Sequence, residues 1–264
     1  MIKILVNGAF GRMGRAMSSK ILLEEDMQIV AAVDIKGIGE DVGQINGMEP
    51  IGVTIEDDLA AAIDKAKPQV LLDFTSPKVV MNNIRVALAK GVACVVGTTG
   101  LTDEDLAEAD ALAKANKTPV FATSNFAISA VLMMRFAAEA VKYMPQFEIV
   151  ETHHTNKLDA PSGTALTTAK MMCENRPEFA RNQVNSYEAI PGVRGGDYQG
   201  ARIHSVRVPG VISMQDCIFG APGQLLTIRA ESTNAECFFP GVAMALRKVL
   251  SLNGLTFGLD KLMD

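Results

Sequence analysis

From the first residue to about residue 124, short apolar runs alternate with longer stretches whose apolar positions recur every three or four residues. That alternation is the pattern of strand–helix–strand units wound around a parallel sheet. Strands are expected at 2–6, 29–33, 70–74, 92–96 and 119–122, each apolar enough to be covered on both faces. Helices are expected over 12–23, 79–90 and 102–116, and Gly91 stands where a C-terminal glycine cap belongs. After Asn125 the order changes to a long helical run over 127–143, a strand over 147–152, a polar loop and a helix over 165–173. Three further runs, 203–208, 216–219 and 225–230, are separated by Gly and Pro as antiparallel strands require, so a mixed or antiparallel sheet is expected there. A last apolar helix over 241–250 could pack on either unit by its pattern alone, and no internal repeat is present.

Composition narrows the function classes. The 264 residues are 48% hydrophobic and 21% charged, which excludes a disordered or collagen-like chain. A net charge of -5 without any Lys/Arg cluster provides no surface for a phosphate backbone, so no nucleic-acid partner is expected. Cys94, Cys173, Cys217 and Cys237 form no C-x-x-C pair, which argues against zinc and for reduced, mostly buried thiols. The apolar run at 1–6 is too short for a secretion signal or a membrane span, so a cytoplasmic protein with no membrane partner is expected.

Gly8-Ala9-Phe10-Gly11-Arg12-Met13-Gly14 follows the first expected strand and opens the first expected helix. In that context a glycine-rich turn lets a pyrophosphate approach the backbone and sit on the helix N-terminus. Asp34, twenty residues beyond Gly14 at the end of the second strand, is placed to accept ribose hydroxyls of NAD. Lys36 could pair with the 2′-phosphate of NADP, so tolerance of both cofactors is expected. The segments Asp73-Phe74-Thr75-Ser76-Pro77 and Gly97-Thr98-Thr99-Gly100 each end an expected parallel strand and should face the cofactor, with the Thr98 and Thr99 hydroxyls available to a nicotinamide ribose or carboxamide.

The densest polar cluster is Glu151-Thr152-His153-His154-Thr155-Asn156-Lys157-Leu158-Asp159-Ala160-Pro161-Ser162-Gly163-Thr164. Adjacent histidines on a strand point to opposite faces, which disfavours shared metal chelation and suits one proton donor beside one binding group. Pro161-Ser162-Gly163-Thr164 precedes a helix, so backbone N–H groups near Lys157 offer an anion site that a carboxylate substrate fits. His204, in a strand-like run between Arg202 and Arg207, is expected to be exposed or at an interface.

On these residues the chain resembles the bacterial 4-hydroxy-tetrahydrodipicolinate reductases of the diaminopimelate and lysine pathway. The resemblance spans essentially the whole length. It rests on residues 8–14, Asp73-Phe74-Thr75, 97–100, Ser124-Asn125-Phe126 and, above all, His153-His154-x-x-Lys157-x-Asp159-Ala160-Pro161-Ser162-Gly163-Thr164. It implies an α/β fold with a Rossmann-like parallel-sheet domain over 1–124, completed by 235–264. A smaller α+β domain with a mixed or antiparallel sheet, over 125–234, would bind substrate and form a homotetramer. A hinge between the two would close on the ligand. The resemblance further implies NADH or NADPH contacts at Gly8, Ala9, Phe10, Gly11, Arg12, Met13, Asp34, Lys36, Gly97, Thr98, Thr99, Thr123, Ser124, Asn125 and Phe126. It makes His153 the general acid/base, His154 a substrate binder, Lys157 a proton donor and substrate ligand, and Gly163 with Thr164 the carboxylate binders. Ala230 and Ala235 depart from the family pattern, in which His and Arg are expected at these positions. The residues themselves also leave open a related two-domain dehydrogenase on another small carboxylate, and a non-catalytic nucleotide sensor. Against an aldehyde dehydrogenase stands the lack of a cysteine in a nucleophile setting. Intact His153 and Lys157 stand against a sensor.

Overall fold

A computed structural model describes residues 1–176 and 187–263. The chain divides into two compact units, Met1–Phe126 with Ala235–Asp264, and Ala127–Asn234. Among the described residues no helix is long and apolar enough to cross a membrane.

The first unit opens with β1 (Ile2–Asn7), α1 (Arg12–Ile21), β2 (Met27–Val33), α2 (Val42–Ile45), β3 (Ile55–Glu56) and α3 (Leu59–Ala66). It continues through β4 (Val70–Asp73), α4 (Val80–Ala89), β5 (Ala93–Val96), α5 (Asp103–Asn116) and β6 (Val120–Ala122). The strands lie in the order β3-β2-β1-β4-β5-β6, all parallel. β4 and β5 are buried at every position, as strands covered by helices on both faces must be. α1 buries Gly14, Met17, Ser18 and Ile21, one stripe at helical spacing, and Gly11 caps it without a side chain to occupy the first-turn N–H groups. α5 starts at a capping box between Thr102 and Asp105, and α3 starts at an Asp58 cap.

In the second unit come α6 (Ile128–Ala140), β7 (Gln146–His153), α7 (Gly163–Asn175), β8 (Gly196–Tyr198), β9 (Ala201–Arg207), β10 (Ser213–Ala221) and β11 (Gln224–Ser232). The sheet order is β11-β10-β7-β9-β8; β7 and β9 are parallel and the other neighbours antiparallel, so the sheet is mixed. Met133, Ala137, Ala169 and Met172 from the two helices pack on Ile149, Cys217 and Phe219 from one sheet face. The chain then returns to the first unit with α8 (Phe239–Lys248), preceded by a 3-10 turn at Ala235–Phe238, and β12 (Leu255–Phe257) extends the parallel sheet beyond β6. The fold is thus α/β, a Rossmann-like sheet unit and a smaller α+β unit with a mixed sheet.

Five elements lie outside the periodicity reading, the one-turn α2 among them. β3, β8 and β12 hold two or three residues each, too few to show alternation, and form because a neighbouring edge offers hydrogen bonds. The fourth, α3, is Ala-rich and does carry a readable cap at Asp58.

Candidate active site

Stepping outward from β1, the chain moves first to β2 and then crosses to β4 on the other side, so the topological switch point lies between β1 and β4. A cavity of about 1030 Å³ opens there, lined by Asn7, Gly8, Phe10, Gly11, Asp34 and Lys36, and across it by Phe74, Thr75 and Ser76. Gly8 turns the chain with φ +82°, and a Cβ there would lie 2.4 Å from the Phe74 carbonyl oxygen. At Gly14 a Cβ would come within 2.0 Å of the Gly8 carbonyl oxygen, so α1 can press its N-terminus against the turn only because this residue has no side chain. The result is a bare helix start facing a cleft, which fits a pyrophosphate.

The Asp34 carboxylate ties this turn to β2, accepting from the Phe10 N–H at 2.9 Å and from the Lys36 N–H at 3.0 Å. Lys36 is exposed on the cavity rim. Arg12 is exposed, Met13 is half-buried and Ala9 is buried; none of the three lines the cavity.

Beneath the cavity sits Asp73, with no exposed surface. Its Oδ1 accepts from the Thr98 hydroxyl at 2.6 Å and the Thr75 hydroxyl at 2.8 Å, and its Oδ2 from Asn7 at 3.0 Å and Asn83 at 2.8 Å. Thr98 is engaged from below. The residue is buried, and its hydroxyl donates to Asp73 and accepts from the Thr75 N–H, because a buried carboxylate must be satisfied first. Thr99 is exposed, and Gly97 lies against the Phe74 ring, where a Cβ would meet the ring at 2.1 Å. Phe126 lies deeper. Its ring is buried against Phe74 and Phe121, at centroid distances of 6.1 and 6.0 Å, because an aromatic ring gains more from the apolar layer than from a polar cleft. The Thr123 hydroxyl donates to the Asn125 carbonyl at 3.0 Å and so shapes the segment after β6, whereas Ser124 is exposed.

The second unit assembles the polar cluster at the end of β7. His153 is the last residue of that strand, in register with Arg207 of β9 and Ser213 of β10. Its Nδ1 bonds Glu151, whose side chain is wholly buried. Glu151 also accepts both arms of the Arg207 guanidinium, at 2.8 and 3.0 Å, and the Ser162 N–H at 3.3 Å. Burial pushes the Glu151 carboxyl up, but Arg207, Ser205 and His153 outweigh it and hold the group below the ordinary carboxylate range. Burial likewise pushes the His153 imidazolium down; Glu151 opposes this, Lys157 and Arg207 reinforce it, and the net shift is downward.

Lys157 pairs with Asp159 at 2.7 Å, and that ammonium holds the Asp159 carboxyl below its usual range. Ser162 caps α7, its hydroxyl accepting the Ala165 N–H at 3.2 Å, and open space lies over Gly163. The helix therefore begins at Gly163, two residues ahead of the expected start, which places Gly163 and Thr164 in its first turn. His154 is half-buried beside this loop. His204 is also half-buried rather than exposed, its Nε2 2.8 Å from Glu148, which projects from the same face of the neighbouring parallel strand. Among the described residues no group of three or more His, Cys, Asp or Glu could hold a metal ion.

A dinucleotide cleft at a parallel-sheet switch point and a second unit bearing a carboxylate-backed histidine, a lysine and a helix start define the class: a two-unit nucleotide-dependent oxidoreductase fold. The family model for the dihydrodipicolinate reductase N-terminus matches residues 2–126, and that for its C-terminus matches residues 129–263. The chain belongs to the dihydrodipicolinate reductase family. A relative from Moorella thermoacetica, a 4-hydroxy-tetrahydrodipicolinate reductase, is 45% identical over 100% of this chain and 98% of its own. Its counterpart from Listeria innocua is 44% identical with 100% of both chains covered. The solved structure of a dipicolinate-bound dihydrodipicolinate reductase from Paenisporosarcina sp. TG-14 superposes with a TM-score of 0.87 at 40% identity, covering 99% of each chain. An amine dehydrogenase from Mycobacterium smegmatis, 15% identical with a TM-score of 0.66, shares the fold.

Proposed function

We propose that the chain reduces 4-hydroxy-tetrahydrodipicolinate to tetrahydrodipicolinate with NADH or NADPH, in the pathway to diaminopimelate and lysine. The observation that carries the reading is the convergence of His153, Lys157 and the start of α7 within one unit of a chain matched along its length by this family. The chemistry that a bound reduced nicotinamide supplies is hydride donation to a ring carbon of the unsaturated substrate. Gly8, Gly11 and the first turn of α1 hold its pyrophosphate, with Asp34 and Lys36 at the ribose edge and the 97–99 and 123–126 segments flanking the cleft. The backbone of those last two segments carries the contact, since the Thr98 hydroxyl and the Phe126 ring face inward.

Gly163 and Thr164 bind one substrate carboxylate through the helix start, and His154 and Lys157 bind and orient the rest of the dicarboxylate. The 4-hydroxyl leaves as water, and hydride added to the resulting unsaturated ring would leave negative charge on the atom next to the reduced carbon. Lys157 Nζ delivers the proton that quenches it, and His153 serves as the general acid/base beside it. Dipicolinate, the ligand of the Paenisporosarcina relative, is a planar dicarboxylate of the kind this cluster suits. The second unit also carries assembly into a homotetramer, a reading supported by Val206 and Leu225 exposed on the sheet face away from α6 and α7.

Replacing Lys157 with Ala tests the assignment. The variant should lose about 100-fold or more in kcat, with NADH binding unchanged, because proton donation matters most in the transition state. An unchanged kcat would remove Lys157 from the chemistry.

A further inference from the structure

We propose that Glu151 and Arg207 are positioning residues for His153: a buried carboxylate gripped by a two-armed guanidinium holds the imidazole by Nδ1 and leaves Nε2 to exchange the proton. The inference rests on the reading of His153 as the general acid/base and extends it to two residues on neighbouring strands.

Three observations converge. Glu151 lies two residues before His153 on β7, on the same sheet face, and its side chain has no exposed surface. A carboxylate without water needs several donors, and it finds them in His153, the Ser162 N–H and both Arg207 arms. A carboxylate only accepts, so the His153 nitrogen facing it carries a proton, and the neutral ring is fixed as the Nδ1–H tautomer. Arg207 in turn reaches the Asp159 carbonyl at 2.8 Å. One guanidinium thus fastens the carboxylate behind His153 and the loop that carries Lys157, while Glu151 itself fastens the residue that caps α7. Side chain and loop are set by the same pair.

The charges facing the ring are Glu151 from β7, Arg207 from β9, and Lys157 from the 154–162 loop, itself paired with Asp159. Glu151 favours the imidazolium and Arg207 opposes it, so removing either must shift His153 in opposite directions. The ring tautomer and a kcat loss at unchanged KM for NADH are the readouts that a pair merely holding the fold together would not move.

The test is titration of His153 by proton–nitrogen correlation spectra of the full-length histidine-labelled protein, in which only three histidines resonate. In the wild type the neutral ring should show the Nδ1–H tautomer. In Glu151→Gln the titration should move to lower pH, and in Arg207→Gln to higher pH. The alkaline limb of kcat/KM should follow both shifts, since the acid must be protonated to act. For Glu151→Gln, kcat should fall roughly 10-fold, short of the ~100-fold loss expected for Lys157→Ala, with KM for NADH unchanged. A His153 titration that is the same in both folded variants overturns the proposal, as does a wild-type Nε2–H tautomer. Should Glu151→Gln fail to fold, Arg207→Gln and the wild-type tautomer still decide. His153→Gln separates the layers: full activity in that variant overturns the acid/base reading and the pair's role with it. An inactive His153→Gln beside absent shifts overturns the positioning pair alone.

Discussion

Asp73→Asn is the substitution whose consequence the structure sets most tightly. The carboxylate accepts from Asn7 and Asn83 on Oδ2, and from the Thr98 hydroxyl, the Thr75 hydroxyl and the Thr75 N–H on Oδ1. Asparagine keeps the shape and replaces one acceptor with an NH2 group. On the Oδ2 side that group would face two side-chain amides, and two charge-assisted bonds would be lost. On the Oδ1 side it would face two hydroxyls that can rotate to accept and a backbone N–H that cannot. The second arrangement is the cheaper. It forfeits the Thr75 N–H contact, which retains Thr98 Oγ1 at 2.8 Å, and lowers the remaining bonds from charged to neutral strength. With charged-group bonds worth about 1.5–3 kcal/mol and neutral ones about 1, the lost contact and the four weakened ones come to at least roughly 3.5 kcal/mol, part of which the easier burial of a neutral amide returns. These bonds join the ends of β1, β4 and β5 to α4, directly under the nucleotide cleft, so NADH affinity should fall with stability. Because the chain has no tryptophan, urea unfolding is best followed by circular dichroism, with NADH binding measured calorimetrically. A variant destabilised by less than about 0.5 kcal/mol, the range of ordinary surface changes, and binding NADH normally would refute the reasoning.

Other outcomes follow from the same geometry. Gly14→Ala places a Cβ 2.0 Å from a backbone oxygen that no rotamer change can move, so α1 must lift off the turn; NADH affinity should drop by about tenfold or more, from a strain of ~1–3 kcal/mol, and an unchanged dissociation constant would contradict the close approach. Lys36→Ala should lower kcat/KM for NADPH by roughly 5- to 10-fold while leaving NADH within about twofold, the value of one exposed charge-assisted bond; equal losses for both would deny Lys36 the 2′-phosphate. Burial raises the Cys94 thiol well above its usual range and Cys217 to about 11, so alkylation of the native protein, read by peptide mass spectrometry, should spare both and modify half-buried Cys173 and Cys237 first.

The parallel sheet and the glycine turn are legible in the sequence because each is a local pattern: an apolar run, a glycine that must adopt positive φ at residue 8, and a helix stripe at Gly14, Met17, Ser18 and Ile21. What escapes is what the tertiary fold alone creates. Asp73 reads as a loop acid facing ligand, yet it ends a strand buried at every position, and only the arrival of Asn7, Asn83 and Thr98 from other elements makes it a buried hub. The hydroxyl of Thr98 is claimed from below in the same way. Glu151 stands inside the polar cluster, where alternation on β7 already puts it on the face of His153, but Arg207 is 56 residues away and meets it only through the β7–β9 register. The available signal is that Glu151 shares the face of the apolar Ile149 and of His153, where a buried acid demands a cation. Edge strands such as β12 carry no signal at all, since a neighbour's unpaired hydrogen bonds supply the reason for their existence.

The central claim is tested most directly by steady-state oxidation of NADH and of NADPH, in parallel, with hydroxy-tetrahydrodipicolinate generated freshly by a coupled synthase. The account predicts substrate-dependent oxidation with at least one cofactor, abolished in Lys157→Ala and inhibited by dipicolinate. Binding of both cofactors without any substrate-dependent oxidation would contradict it and favour a nucleotide sensor or a different carboxylate.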